Sequence, residues 1–314
     1  MIEHPTASAQ QLQDVVAAGF SRGVIPSLAH YRTPEQSAAW RAVATSFFDR
    51  APGRSAFDDV YTEIADNCPG TPVHVIALGC GDGSKEEALV RNLCLAGLDV
   101  AITLADISPS LLQLAGARQE AIENVRVLNS IACDVTTVGG SLADLIEYLP
   151  GRRVITMFGV LPGLTTMSAF ESVASLMRDG DLFAFSGNML PDGAGEIERL
   201  CDFYATGSAH NWMALVFSGA GIDTESLSWS VAPTYTSEVF AVATVSVKAE
   251  VLRDCVATVG DHAIQLEAGQ TIDTFRSHRH SSESLTDLLE SLGMKLICLQ
   301  LSDSGEEGVV LARK

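Results

Sequence analysis

Paired cysteines are what this chain most plainly lacks. Its seven (Cys68, Cys80, Cys94, Cys133, Cys201, Cys255 and Cys298) are scattered, odd in number and never at a zinc or CxxC spacing. No metal site is expected from them, and an unclustered set in apolar surroundings predicts reduced thiols and a cytoplasmic setting. Positive charge is also scarce. Lys and Arg total 20 against 39 Asp and Glu, a net charge of −19. That surface repels polyphosphate, so neither DNA nor RNA is an expected partner, and a small molecule is. Long apolar runs are missing too; Gly, Asp and Arg break them, which argues against a membrane span. The opening MIEHPTASAQQLQ has an early acid and no basic start or apolar core, so no signal peptide is expected. Repeats and low-complexity segments are absent.

What is present suits a well-packed protein. The 314 residues, 47% hydrophobic and 19% charged, suffice for one large core or two moderate ones. The first part reads as helices: QQLQDVVAAGFSRG, PEQSAAWRAVATSFFDR and SAFDDVYTEIADNC, separated by Gly-Val-Ile-Pro and Ala-Pro-Gly. From Val73 the pattern changes to short apolar strands (73–78, 100–105, 125–129, 153–158, 181–186) alternating with helices (84–96, 108–118, 140–148, 166–177). That alternation predicts a parallel sheet covered on both faces. After about Leu190 come two helical stretches, GEIERLCDFYA and AHNWMALVFSGAG. A long ribbon follows, EVFAVATVSVKAEVLRD answered by HAIQLEAGQTIDTF. A capped helix, SSESLTDLLESLGM, and a final hairpin, KLICLQLS and EGVVLARK, close the chain.

An antiparallel hairpin after parallel strands is the mark of a Rossmann-like class I methyltransferase sheet. The expected α/β architecture is therefore that core with a discontinuous substrate-binding lid. Residues 1–70 are expected as the N-terminal helical part of the lid, 71–190 as core, 191–282 as lid insertion, and 283–314 as the end of the core.

The stretch VHVIALGCGDGSKEEAL carries the chemistry. A strand, a glycine turn (Gly79, Gly81, Gly83), a helix start, and a second strand ending in Asp106 are the parts that hold an adenosine-containing cofactor. Glycines admit the backbone close to the ligand, and the acid accepts hydrogen bonds from ribose hydroxyls. A ligand-free strand-to-helix turn would also use such glycines, and an Asp at a strand end also serves as a cap. Ser108 offers an alternative cap that leaves Asp106 to the ligand. Asp134, after the third strand, is placed to meet an adenine amino group, or to make a turn of its own. Nicotinamide enzymes space the glycines G-x-G-x-x-G, whereas here the run is G-C-G-D-G-S-K, and no Tyr-x-x-x-Lys pair is evident. S-adenosylmethionine needs a cation for its carboxylate, which Lys85 supplies unless it is merely solvated.

Three segments resemble the histidine Nα-methyltransferase family, the S-adenosylmethionine-dependent enzymes of ergothioneine synthesis. ALGCGDGSK resembles the family's turn, which also lacks the acid before the first glycine (Ala77 here) and keeps a lysine at Lys85. VITMFGVLPGL resembles its fourth-strand signature, with Gly159 and Gly163. EAGQTIDTFRSHRHSSESLTDLLESLGM resembles its ribbon into the last helix. The resemblance extends from about Tyr31 over most of the chain and implies the same core-plus-lid fold. It places Tyr31, Gly79, Cys80, Gly81, Lys85, Asp106, Ile107, Asp134, Val135, Phe158 and Gly159 at the cofactor.

It also places Leu164, Tyr204, Asn211, Phe275, Arg276 and Ser277 at the substrate, and here the chain diverges. Leu164 stands where the family has Asn, Phe275 where it has Glu facing the imidazole, and Ser277 is retained. Phe47 and Phe48 are the nearest substitutes for its paired tyrosines. Histidine itself is therefore not the expected acceptor, and Phe275 suits a less cationic one. Arg276 and Arg279 are read either as an anion clamp or as a solvated turn. Metal binding by His278 and His280 is not expected, and Trp212 is read as lid core. The expected activity is S-adenosylmethionine-dependent N-methylation of a small amino acid or amine metabolite. The rivals are O- or C-methylation of a natural product and, further off, a nicotinamide oxidoreductase.

Overall fold

The chain was studied as a computed structural model that describes residues 1–48, 55–137, 139–146, 149–159, 167–191, 194–235 and 241–314. Its main sheet has eight strands in the order β1-β4-β3-β2-β5-β6-β13-β12. These are β1 (Ile2–Glu3), β2 (Val73–Leu78), β3 (Val100–Asp106), β4 (Arg126–Ala132), β5 (Arg152–Met157), β6 (Leu182–Asn188), β12 (Lys295–Leu301) and β13 (Glu307–Arg313). The first six run parallel; β13 is antiparallel to β6 and β12 to β13. This is the Rossmann-like class I methyltransferase sheet expected from the strand pattern and the closing hairpin. Every residue of β2, β3 and β6 is buried, which is why their sequences are mainly apolar rather than alternating. Crossovers leave β2 toward β3 on one side, and the sheet continues through β5 on the other. The crevice between them opens at the strands' carboxyl ends.

A second sheet, in the order β11-β8-β7, joins β7 (Leu227–Tyr235), β8 (Ala243–Val251) and β11 (Thr271–Arg279), all antiparallel. The expected ribbon holds for TIDTF, which opens β11, and is corrected for HAIQL. The strand answering β8 is β11, while HAIQL forms β10 (His262–Leu266) and pairs with β9 (Cys255–Val259) in a separate hairpin. β7 was not anticipated, although Leu227, Trp229 and Val231 alternate with Ser228 and Ser230 at strand period.

The helices Ala9–Arg22 and Gly207–Gly219 share a core with this second sheet: Phe20, Phe217, Leu227, Ala249 and Ile272 are in one cluster. A second cluster joins Trp212, Tyr204, Val245 and Phe275 with Val43 of the helix Pro34–Phe48. Segments far apart in sequence thus form one layer over the carboxyl edge of the main sheet.

The third N-terminal helix does not belong to that layer. Ala56–Asp66 buries Val60, Tyr61 and Ile64 among Val73, Val75, Leu182 and Leu311 of the main sheet, so the boundary expected at 70 falls before this helix. Its apolar residues recur at helical spacing and suit either core equally well. Residues Ile2–Glu3, expected in the lid, instead extend the main sheet beside β4.

Among the contacts that tie this layer to the main sheet are two sets of hydrogen bonds. His280 N–H donates to the Asn188 carbonyl (2.9 Å), and Leu190 N–H to the His280 carbonyl (2.8 Å), where β6 and β11 end. The Ser37 and Ser108 hydroxyls are hydrogen-bonded at 2.9 Å, both residues buried.

Among the described residues no helix is long and apolar enough to cross a membrane, and no group of His, Cys, Asp and Glu has the arrangement to hold a metal.

Candidate functional site

A cavity of about 610 Å³ lies over the carboxyl ends of β2 to β5, a size that suits a drug-sized ligand. Its floor is the glycine turn. Gly81 has φ +54° and Gly83 +74°, backbone that L side chains avoid. A Cβ on Gly83 would sit 2.8 Å from that of Ala115, so glycine there permits the following helix, Ser84–Leu95, to pack against Pro109–Glu120. A Cβ on Gly81 would meet no protein atom within 4 Å and would project into open space beside the cavity.

Asp106 ends β3 and is 6% exposed. One carboxylate oxygen accepts the Gly81 N–H (2.8 Å) and the other the Ser108 N–H (2.8 Å). Ser108 caps the next helix through the Leu111 N–H, so the cap role falls to Ser108. A carboxylate has about four acceptor positions, and the backbone donors leave part of that capacity for ligand hydroxyls. Burial raises the Asp106 pKa, partly offset by the hydrogen bonds from Ser108, Gly81 and Ile107.

Lys85, in the first turn of its helix, is held 3.1 Å from Glu307 of β13, with its ammonium 4.4 Å from the centroid of the Phe57 ring. It also lies beside Gly159, whose imagined Cβ is 4.0 Å from Nζ. Lys85 lines the cavity while engaged in this ion pair, rather than as a lone lysine. Asp134 lines the cavity, but its carboxylate accepts from the Thr136 N–H (3.0 Å) and from the hydroxyls of Thr136 (2.6 Å) and Thr137 (3.1 Å). Its turn-forming role is evident.

The roof is aromatic. Tyr31, Trp40 and Trp212 pack with ring centroids 5.0–5.8 Å apart, and Tyr31 and Trp40 face the cavity. Trp212 is 1% exposed, and its indole N–H donates to the His30 carbonyl (3.1 Å), as lid core should. Burial, then Asp106 and Tyr204, raise the Tyr31 pKa well above the ordinary phenol value, so Tyr31 remains a neutral donor. Burial, with Asp106 and Glu86 adding to it, likewise keeps the Cys80 thiol protonated.

All eleven residues that the sequence resemblance assigns to a cofactor line this one cavity: Tyr31, Gly79, Cys80, Gly81, Lys85, Asp106, Ile107, Asp134, Val135, Phe158 and Gly159. The substrate residues divide. Tyr204, Phe275 and Ser277 come together: the rings of the first two are 5.3 Å apart, and the Tyr204 hydroxyl donates to Ser277 Oγ at 3.1 Å. Asn211 is exposed on its helix and does not reach the site. Arg276 is corrected as well. It is exposed and ion-paired with Asp273 (Nε to Oδ2, 2.8 Å), because alternation along β11 turns it outward while Ser277 and Arg279 point inward. Leu164 and Gly163 lie outside the described residues, as do the side chains of Phe47 and Phe48.

Among the cavity residues that escaped the sequence reading, Glu86 has the most distinctive chemistry. Glu86 is 1% exposed, lies 3.5 Å from the Thr156 hydroxyl, and has its pKa raised to about 8, chiefly by burial. In the run SKEE it reads as one more solvated acid at a helix start.

No family model matches the chain, nor does any curated protein. Solved structures do. A protein of Methanosarcina mazei described as a SAM-dependent methyltransferase is 11% identical, with 80% of this chain and 96% of that chain covered at a TM-score of 0.43. An amino pentose methyltransferase from Micromonospora echinaspora is 13% identical (90% and 97% covered, TM-score 0.42). The 1,6-didemethyltoxoflavin-N1-methyltransferase of Burkholderia thailandensis is also 13% identical (100% and 93% covered, TM-score 0.41). Likeness of this degree carries no assignment of activity.

Proposed function

We propose that this protein is an S-adenosylmethionine-dependent methyltransferase acting on nitrogen of a small amino acid or amine. One observation carries the reading: Asp106, the Gly81 turn and Lys85 meet in a single cavity at the switch point of the sheet. The open side of Gly81 admits a ligand against the backbone, and the remaining acceptor positions of Asp106 suit ribose hydroxyls. Lys85, on the cavity wall, offers a cation to the carboxylate of an amino-acid end. The donor set therefore fits this cofactor, which supplies an electrophilic methyl group on a sulfonium.

The chain's own residues contribute alignment and exclusion of water. Tyr31, Trp40 and Trp212 cover the site, leaving an acceptor amine desolvated and its lone pair available. Cys80, held as a thiol, does not compete as a nucleophile. An amine that arrives deprotonated needs no enzyme base. The resemblance to histidine Nα-methyltransferases supports the amino-acid class, while Phe275 in place of Glu argues against histidine.

A second reading, O- or C-methylation, draws on Glu86, a buried carboxyl with a pKa near neutrality that would serve as base. The pH–rate profile separates the two: loss of an enzyme-borne limb in Glu86→Gln would favour the second.

Calorimetry with S-adenosylhomocysteine and with NAD tests the cofactor assignment. Binding of the first alone is expected; binding of the dinucleotide alone would overturn it.

A further inference from the structure

At the joint between β6 and β11 lies an arginine with almost nothing to hold. Arg279 is fully buried, at 0% exposure. Its Nη2 donates to the Tyr204 hydroxyl at 3.1 Å, while Nε and Nη1 have no acceptor among the described residues. A guanidinium does not discard its proton, so this positive charge stays in the interior, where an unpaired charge is costly. Burial depresses the Arg279 pKa, with the nearby Tyr204 hydroxyl opposing that shift.

The surroundings are built for an anion. The Asn188 amide donates to Ser277 Oγ (3.3 Å), and Tyr204 donates to the same oxygen (3.1 Å). Phe275 stands against the Tyr204 ring. The cavity of the proposed methyl transfer is one strand step away. Ser186, two residues before Asn188 on β6, accepts the Gly159 N–H at 2.8 Å, and Gly159 lines the cavity. Tyr31, also on the cavity wall, is within electrostatic reach of both Asp106 and Tyr204.

We propose that Arg279 anchors a subsite for the carboxylate of the acceptor, with Tyr204, Ser277 and Asn188 as its polar walls. The acceptor is then a small carboxylic acid carrying the amine to be methylated; this rests on the methyltransferase reading above. A planar guanidinium pairs with a carboxylate through two parallel N–H donors, and one negative charge balances the one positive charge present. A phosphate dianion would leave an excess. Because Tyr204 bonds the guanidinium directly, its ring shifts to let an oxygen reach Nη1. The anion clamp suggested by the two sequence arginines thus belongs to Arg279 and not to Arg276.

The test uses thermal unfolding of the full chain with saturating S-adenosylhomocysteine. The probes are the free α-amino acids and benzoate, each beside its carboxamide, at millimolar concentration. At least one acid is expected to raise the unfolding temperature where its carboxamide does not. Arg279→Met should lose that response and, without ligand, unfold at a higher temperature than wild type, since an uncompensated charge has gone. Arg279→Lys should keep the response with affinity weakened about 10-fold to 100-fold, and it serves as the variant if Arg279→Met does not fold. Equal responses to acid and carboxamide, no response to any acid, or an undiminished response in Arg279→Met would overturn the subsite. The stabilisation by S-adenosylhomocysteine alone, measured first, keeps the two proposals apart. If it is present and the acids fail, only the subsite falls; if it is missing, the methyltransferase reading falls.

Discussion

Asp106 and Glu86 are both buried carboxyls in one cavity, yet their partners give them different fates. Asp106 has the backbone donors of Gly81, Ser108 and Ile107 favouring its charged form, whereas Glu86 has its own backbone N–H and a hydroxyl at 3.5 Å. Asp106→Ala is expected to weaken S-adenosylhomocysteine binding about 10-fold to 100-fold, the range for hydrogen bonds to a charged acceptor. Isothermal calorimetry reads it directly, and unchanged affinity would remove the ribose role. Glu86 has a second, ligand-free signature. Its folded pKa of about 8 lies above the ordinary carboxyl value of 4.5, so the native state binds more protons than the unfolded state between those limits. Its contribution to stability is full below 4.5 and is lost as pH rises through 8. Glu86→Gln should therefore be more stable than wild type at pH 9 and close to it at pH 4.5, as read from urea midpoints. The sequence hid this residue because Glu86 and Glu87 are indistinguishable in SKEE. Only the packed helix shows Glu86 turned inward while Glu87 pairs with Arg91 and Arg118 outside.

The glycine turn was legible as an element because each part needs its residue type: an apolar strand, a backbone with positive φ, a helix start. Gly83→Ala tests the packing half of that statement. With Ala115 at 2.8 Å and φ +74°, it should cost about 1–3 kcal/mol in unfolding free energy, by overpacking and backbone strain together. Gly97→Ala is the control: its φ is +79° but nothing lies within 4 Å, so only the smaller backbone cost is expected. Denaturant midpoints of the two variants compare them. In the lid, Phe217 is fully buried and meets Phe20 edge-on (centroids 5.6 Å apart) and Trp229 at 5.4 Å. Phe217→Ala should destabilise the lid by about 3–5 kcal/mol, with faster amide exchange in Ala9–Arg22 and β7 than in β2 or β3. Uniform acceleration across both sheets would show that lid and core unfold as one unit.

For the whole molecule, buried imidazoles set the acid limit. Burial lowers the pKa of His30, His74 and His278 to about 4 and that of His280 to about 3, from the ordinary imidazole value of 6.5. Below 6.5 the unfolded chain binds more protons than the native one. The stability these groups contribute is complete above 6.5 and is lost as pH falls toward 4. These histidines outnumber Glu86, whose effect is opposite, so the unfolding temperature should drop steeply between pH 6.5 and 4; a flat profile there would contradict their burial. The sequence by itself determined the parallel core, the closing hairpin and the glycine-turn and strand-end residues of the cavity, since these follow from local periodicity and from turn chemistry that only glycine satisfies. Tertiary structure alone decided which of two neighbouring arginines faces inward, that β11 rather than β10 answers β8, and that Ala56–Asp66 joins the core sheet. Strand phase after the register shift between Asp273 and Phe275, and the choice between two apolar surfaces for one amphipathic helix, depend on contacts far apart in the chain.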